Sequence, residues 1–430
     1  MARFIINGQQ PLRGTFTPLG NKNAALPMLA ATLLTDEPVV LRNLPPIEDV
    51  HVMCELLTAL GVDITLRGQT ATLCAAGLRH TRLHPEHCRR VRGSILLAGP
   101  LVARHGQAVL APPGGDVIGR RRLDTHFAGL SELGIRIQTG TRDFRLRRDA
   151  LHGARIVLDE ASVTATENIM MAAVLAPGVT TIYNAACEPH VQDLGRLLIK
   201  MGARIDGLGT NRLRIRGVKR LHGATHRIQP DHIECGSFAA AAWVTGGDVT
   251  LRVNGMDADT LHVCGRAFAR LGAAWNPQRG RLHVAPTALK IQPDLGDAIP
   301  KIEDGPWPAF PSDLMSVAIV MATQATGTCL FFEKMFESRM FFVDALISMG
   351  ARIVQCDPHR IVVSGATGLR GAHMATPDIR AGMALLVAAL GARGQSVIEN
   401  AGIIDRGYAQ IETRLQQLGA DIERAESSGQ

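Results

Sequence analysis

Aromatic side chains are scarce in this chain of 430 residues, making up 4% of it, with two tyrosines and three tryptophans. Single-stranded nucleic acid is bound on stacked rings, so their scarcity argues against that class of partner. Long apolar runs are missing too. The longest, 169–177 and 383–390, fall far short of the roughly 20 residues that span a bilayer. The opening Met1-Ala2-Arg3-Phe4-Ile5-Ile6-Asn7 turns polar too early for a signal peptide. The expectation is a cytoplasmic protein without membrane insertion. Eight cysteines stand singly with no C-x-x-C pair, which suits a reducing compartment and implies neither disulfides nor a structural metal.

What the chain does have is apolar mass, 46% of its residues. At this length a single core stops growing, so two domains are expected. The net charge of +7 favours an anionic partner. Arginines occur in short clusters, at 89, 90 and 92, at 120–122, and at 145, 147 and 148, rather than in one basic run. Small phosphorylated ligands fit that distribution better than nucleic acid does.

One phrase recurs six times: a helix ending in Leu or Met, then Gly, then a short strand. Leu57-Thr58-Ala59-Leu60-Gly61-Val62-Asp63-Ile64 is the first copy, and the others centre on Gly134, Gly202, Gly272, Gly350 and Gly419. The glycine sits where a helix ends in the left-handed conformation. Each unit of about 70 residues also carries a second helix rich in Ala, Leu and Met, too long a period for a solenoid repeat. The starts of these helices align at Lys22, Arg92, Thr166, Cys235, Pro311 and Arg380. Being apolar almost all round, they are expected inside, with their polar first turns forming an anion trap. The class is α/β (α+β), with helices inside and sheets outside. Three units before about residue 229 and three after it predict two domains, 22–229 and 1–21 plus 230–430, with a ligand cleft between them. The strand Ala2 to Asn7 is expected to complete the second domain's sheet.

The stretch 112–126, Pro-Pro-Gly-Gly-Asp-Val-Ile-Gly-Arg-Arg-Arg-Leu-Asp-Thr-His, sets Asp116 among glycines beside Arg120, Arg121 and Arg122. A carboxyl on such a loop can donate or accept a proton, and guanidinium forks suit phosphate. A mobile catalytic lid and a plain surface turn, in which Asp116 neutralises an arginine, are both compatible with these residues.

Ordered motifs run through the whole chain: Gly20-Asn21-Lys22-Asn23-Ala24-Ala25-Leu26-Pro27, Arg92-Gly93-Ser94-Ile95, the Pro-Gly-Gly loop and Asn184-Ala185-Ala186-Cys187-Glu188-Pro189. They continue with Pro308-Ala309-Phe310-Pro311-Ser312-Asp313, Phe336-Glu337-Ser338-Arg339 and Ile404-Asp405-Arg406-Gly407-Tyr408. In these the chain resembles the enolpyruvyl transferases, in the branch that acts on UDP-N-acetylglucosamine. The resemblance implies a two-domain inside-out α/β barrel of six βαβαββ units, three per domain. It also implies transfer of the enolpyruvyl group of phosphoenolpyruvate to the sugar 3-hydroxyl, without metal or organic cofactor and without an obligatory protein partner. Matched residue by residue, Asp313 takes the hydroxyl proton and Asp116 is the acid at C3, while Lys22, Arg121 and Arg406 hold phosphoenolpyruvate. Asn23, Arg92, the segment Arg121, Arg122, Leu123, Asp124 and Thr125, then Ser162, Val163, Asp313 and Met335, match positions that contact the nucleotide sugar. Glu188, Asp231, Glu234, Arg339, Asp378 and Arg380 lie in matching segments and are read as structural ion pairs.

The chain departs from the family pattern at Asp116, where Cys is common, at Arg122 and Leu123, where Pro and Val are common, at Glu160 for Lys, and at His190 for Glu. The first departure implies resistance to fosfomycin, which alkylates the cysteine. The others leave open a different uridine nucleotide such as UMP as acceptor. A catalytically silent nucleotide-binding paralogue is the alternative outside enzymes, and the full polar set that a scaffold would not need speaks against it.

Overall fold

The computed structural model describes residues 2–116 and 118–426; Val117, within the loop singled out above, lies outside them. The chain forms two compact units. One comprises Gly20–Asp116 and Arg121–Gln229, and the other Met1–Leu19, Val117–Arg120 and Pro230–Gln430.

The first unit is built around helices α1 (Lys22–Ala31), α2 (Ala98–His105) and α3 (Val163–Ala173), and the second around α4 (His232–Val244), α5 (Ser312–Gln324) and α6 (Ile379–Gly391). In α4 and in α6 all but one of the thirteen residues are buried. Helices with no polar face belong inside, and here the three helices of the second unit pack against one another.

Sheets cover them. In the second unit, Ala2–Asn7 lies between Gln395–Glu399 and Asp421–Glu426, antiparallel to both, so the N-terminal strand completes this sheet as expected. Another sheet of the same unit sets Lys301–Glu303 parallel to Gly327–Phe332, with Arg360–Gly365 antiparallel beyond it. In the first unit, Arg212–Arg216 alternates exposed and buried residues, one face against the helices and one in solvent. Among the described residues each unit thus holds three sheets around buried helices, the inside-out α/β arrangement.

The six repeated glycines all have positive φ, between 85° and 101°. A side chain resists that conformation, which is why the phrase recurs with Gly at this one position. Helix α1 starts at Lys22 as expected, α5 and α6 begin within one residue of Pro311 and Arg380, and the other three expected starts differ by more. Helix α3 begins at Val163 rather than Thr166 and α4 at His232 rather than Cys235, because Ser162 and Asp231 accept amide hydrogen bonds as N-caps one turn earlier. Arg92–Leu97 is a 3-10 helix, with α2 following it. A continuous α-helix from Arg92 would have placed Pro100, which lacks an N–H, in its interior. No helix among the described residues is long and apolar enough to cross a membrane.

Candidate functional site

In the first unit, Lys22 opens α1 behind the N-cap Asn21, whose side chain accepts from Ala24 N at 2.9 Å. Its stem is buried, and Nζ lies 2.7 Å from Asp49 Oδ2. Asp49 sits in the first turn of the helix Glu48–Leu60. An ammonium carries three donors on a flexible stem, and this pairing holds Lys22 in place. Asn23 follows on the same turn and is half-buried. Asp49 was not legible as a partner, since its contact joins two separate helices.

The glycines at 114 and 115 serve close packing. A Cβ on Gly114 would fall 1.6 Å from Arg89 O, and one on Gly115, at φ 110°, would fall 2.9 Å from Arg92 Cβ. Gly114 N donates to Cys88 O at 2.9 Å, so this limb of the loop lies against the short helix Pro85–Arg90. Half-buried Asp116 ends the limb. The returning limb is held by Arg92, whose Nη2 donates to Arg121 O at 2.7 Å and to Arg122 O at 3.4 Å. Burial, and then the charge of Arg121, bring the Arg92 guanidinium down to about 10.

Residues 121–125 and 160–163 are brought together. Arg122 is exposed and pairs with Asp124, while Thr125 Oγ1 donates to Glu160 Oε1 at 3.4 Å. The Asp124 carboxylate, with Glu160 and Asp159 further off, holds Arg122 above the usual arginine range. The departures at 122 and 160 thus carry opposite charges within one patch. Ser162 caps α3 and Val163 opens it. Leu123 is half-buried ahead of the helix Asp124–Glu132.

Beneath this patch, His126 Nε2 lies 3.0 Å from Thr164 Oγ1 and its Nδ1 lies 3.1 Å from Asn168 Nδ2. Asn168 also bonds Ile95 O and Gly99 N, tying α3 to the turns before and within α2. Burial, with Arg92 adding to it, pushes the imidazole down to about 3, so it is neutral. Glu167, one residue before Asn168, is pushed well above the carboxylate range by burial and then by Glu188. Neither His126 nor Glu167 stood out in the sequence, because nothing in their spacing marks burial.

In the second unit, Asp313 occupies the first turn of α5. Its Oδ1 lies 3.1 Å from Arg339 Nη2, and its Oδ2 lies 2.7 Å from Arg380 Nη2. Arg380 Nη1 donates to Tyr408 OH at 3.2 Å, and that hydroxyl lies 2.9 Å from Ser237 Oγ. Burial works against the charge on Arg380, but Asp313, Tyr408 and Asp231 outweigh it and raise the guanidinium further. Asp231 and Asp378 cap α4 and α6, Arg380 lies in the first turn of α6, and Glu234 pairs with Arg414. The first turns of all three helices therefore carry charge, with Asp313 held between two arginines. Arg406 ends the 3-10 helix Ala401–Arg406 and is half-buried. Met335 is partly exposed in the segment after the strand Gly327–Phe332, its N donating to Glu333 Oε1 at 3.1 Å. Among the described residues no cluster of His, Cys, Asp and Glu could hold a metal ion.

Comparison with known proteins assigns the chain. The family model described as EPSP synthase (3-phosphoshikimate 1-carboxyvinyltransferase) matches residues 6–415. A relative from Bradyrhizobium diazoefficiens, named UDP-N-acetylglucosamine 1-carboxyvinyltransferase, is 53% identical over 98% of both chains. One of the same name from Treponema pallidum is 50% identical over 98% of this chain and 99% of its own. Among solved structures, the enolpyruvyl transferase NikO from Streptomyces tendae superposes with a TM-score of 0.87 at 22% identity, covering 99% of each chain. EPSP synthase from Acinetobacter baumannii follows at 0.76 and 19%, covering 99% of this chain and all of its own, so these two speak for the fold alone. With half of its residues shared along nearly its whole length, the chain belongs to this family of carboxyvinyltransferases, alongside the relatives named UDP-N-acetylglucosamine 1-carboxyvinyltransferase.

Proposed function

We propose that this enzyme transfers the enolpyruvyl group of phosphoenolpyruvate to the 3-hydroxyl of UDP-N-acetylglucosamine, releasing phosphate, as the first committed step of peptidoglycan synthesis in the cytoplasm. The observation that carries this reading is identity of 46 to 53% over nearly the whole chain with relatives bearing that name. Transfer to another uridine nucleotide such as UMP is the weaker reading, because no observation of comparable reach favours it.

In the proposed scheme the sugar oxygen adds to C2 while C3 gains a proton, and the tetrahedral adduct then loses phosphate and a C3 proton. Asp313 takes the hydroxyl proton; its two arginines orient both of its oxygens. Asp116 supplies the proton to C3. Lys22, Arg121 and Arg406 bind phosphoenolpyruvate, since converging cations stabilise a multiply charged ligand in a partly dry site. Asn23, Arg92, residues 121–125, Ser162, Val163 and Met335 bind the nucleotide sugar. Glu160 stays compatible with a diphosphate because Arg122 lies in the same patch. Having Asp in place of a thiol at 116 makes the enzyme resistant to fosfomycin. No metal or organic cofactor enters the scheme.

The test is phosphate release from phosphoenolpyruvate with UDP-N-acetylglucosamine or UMP as acceptor. Turnover with the sugar nucleotide is expected, and turnover with UMP alone would replace the acceptor.

A further inference from the structure

The parallel strands Lys301–Glu303 and Gly327–Phe332 are in register with Glu303 opposite Phe332, so the next residues, Asp304 and Glu333, leave the sheet side by side. Both are essentially fully buried. Glu333 Oε1 accepts from Met335 N and Phe336 N, each at 3.1 Å, and Ser312 Oγ lies 3.1 and 3.0 Å from its two oxygens. Asp304 Oδ1 accepts from Lys334 N at 2.5 Å, while its buried Oδ2 has no partner among the described residues. Arg339 faces the pair but spends its Nη2 on Asp313. His359 places Nδ1 2.7 Å from the backbone oxygen of Glu333, and Lys334 turns outward to Glu303 at 2.9 Å.

We propose that Glu333 and Asp304 share a single proton and that this pair is a positioning device for the reaction. The bridging proton occupies the gap at Asp304 Oδ2. Two adjacent buried carboxylates would otherwise both ionise without water, which is strongly disfavoured. Burial first, then Asp304 as hydrogen-bonding neighbour, pushes the Glu333 carboxyl up to about 9.

The pair acts through what Glu333 holds. On one side is Ser312, next to Asp313 on α5. On the other is the segment 335–338, where Ser338 N donates to Ile118 O and Glu337 Oε2 accepts from Arg120 N, both at 3.1 Å. Gly119, at φ 123°, fits there because a Cβ would come 2.2 Å from Glu337 Oε2. Glu333 therefore fixes the residue beside Asp313, the proposed base. Its kinetic consequences rest on the proposed reaction, whereas the shared proton does not.

Infrared difference spectra of the whole protein at neutral pH test the proton directly. Wild type minus Glu333→Gln and wild type minus Asp304→Asn should each show a protonated-carboxyl band that shifts in heavy water. In kinetics, Glu333→Gln keeps both a donor for Asp304 and an acceptor for the two amides, and should retain kcat within about threefold. Glu333→Ala should lose kcat about 100-fold through misplacement, with KM changed much less. Absence of the band from either difference, or a Gln variant as impaired as the Ala variant, overturns the proposal. A band in a wild-type protein that turns over no sugar nucleotide would count against the proposed reaction and leave the shared proton standing.

Discussion

Arg380 Nη2 stands 2.7 Å from Asp313 Oδ2, and Arg339 Nη2 stands 3.1 Å from the other oxygen of the same carboxylate. Two nearly buried guanidinium groups lean on one half-buried acid, so Asp313 has a structural load besides its proposed role as base. Asp313→Asn should lower kcat by about 10²-fold or more. It should also cost about 3 kcal/mol of stability, because it leaves buried cations uncompensated. Steady-state kinetics with urea unfolding measures both; a variant matching wild type in turnover rejects the role as base.

Lys22 is held by Asp49 at 2.7 Å. Lys22→Ala should raise KM for phosphoenolpyruvate at least tenfold, while affinity for the nucleotide sugar, measured by calorimetry, changes less. Arg406→Ala should behave alike. Equal loss of both affinities would point to misfolding instead.

His126 gives a signed dependence on pH. The folded protein keeps the ring neutral down to about 3, whereas an ordinary histidine titrates at 6.5. Below 6.5 the unfolded chain binds a proton that the folded chain refuses, so stability is complete above that value and declines as pH falls toward 3. The slope is up to about 1.4 kcal/mol per pH unit. His126→Gln should flatten this limb in thermal melts between pH 4 and 7. An unchanged slope would place its origin elsewhere.

Asp116→Cys should remain active, because a thiol at this position can donate a proton as a carboxyl can. The same substitution should confer time-dependent inactivation by fosfomycin, which alkylates a thiol to a stable thioether; wild type should resist. Covalent inactivation of the wild-type protein at low fosfomycin concentration, or full turnover by Asp116→Ala, would remove this loop from the proposed chemistry.

The architecture was legible because it is written locally and repeated. Gly61 and its five counterparts stop helices in a conformation that only glycine adopts easily, and helices with no polar face can only be interior. The N-terminal strand was legible as well, because an alternating apolar segment before the first unit needs a sheet to join. Helix boundaries were less so: Ser162 and Asp231 could be read as caps only once their side chains were seen to accept amide hydrogen bonds one turn early. Motifs named the polar residues Lys22, Asp116, Asp313 and Arg406, but not what surrounds them.

Partnerships were decided by tertiary structure alone. Asp49 with Lys22, His126 with Asn168, and Asp304 with Glu333 join residues from 27 to 42 positions apart, and Arg380 reaches Asp313 across 67. Spacing along the chain carries no information about such meetings, because they depend on how whole sheets and helices pack. The upward shift of the Glu333 carboxyl and the downward shift of the His126 ring both follow from the exclusion of water around them, and only the packed fold excludes it. The sequence by itself thus determined which elements form and that the helices go inside, since backbone conformation and apolar periodicity are local. Which charges meet, and which of them remain charged, was settled only when packing chose each group's neighbours.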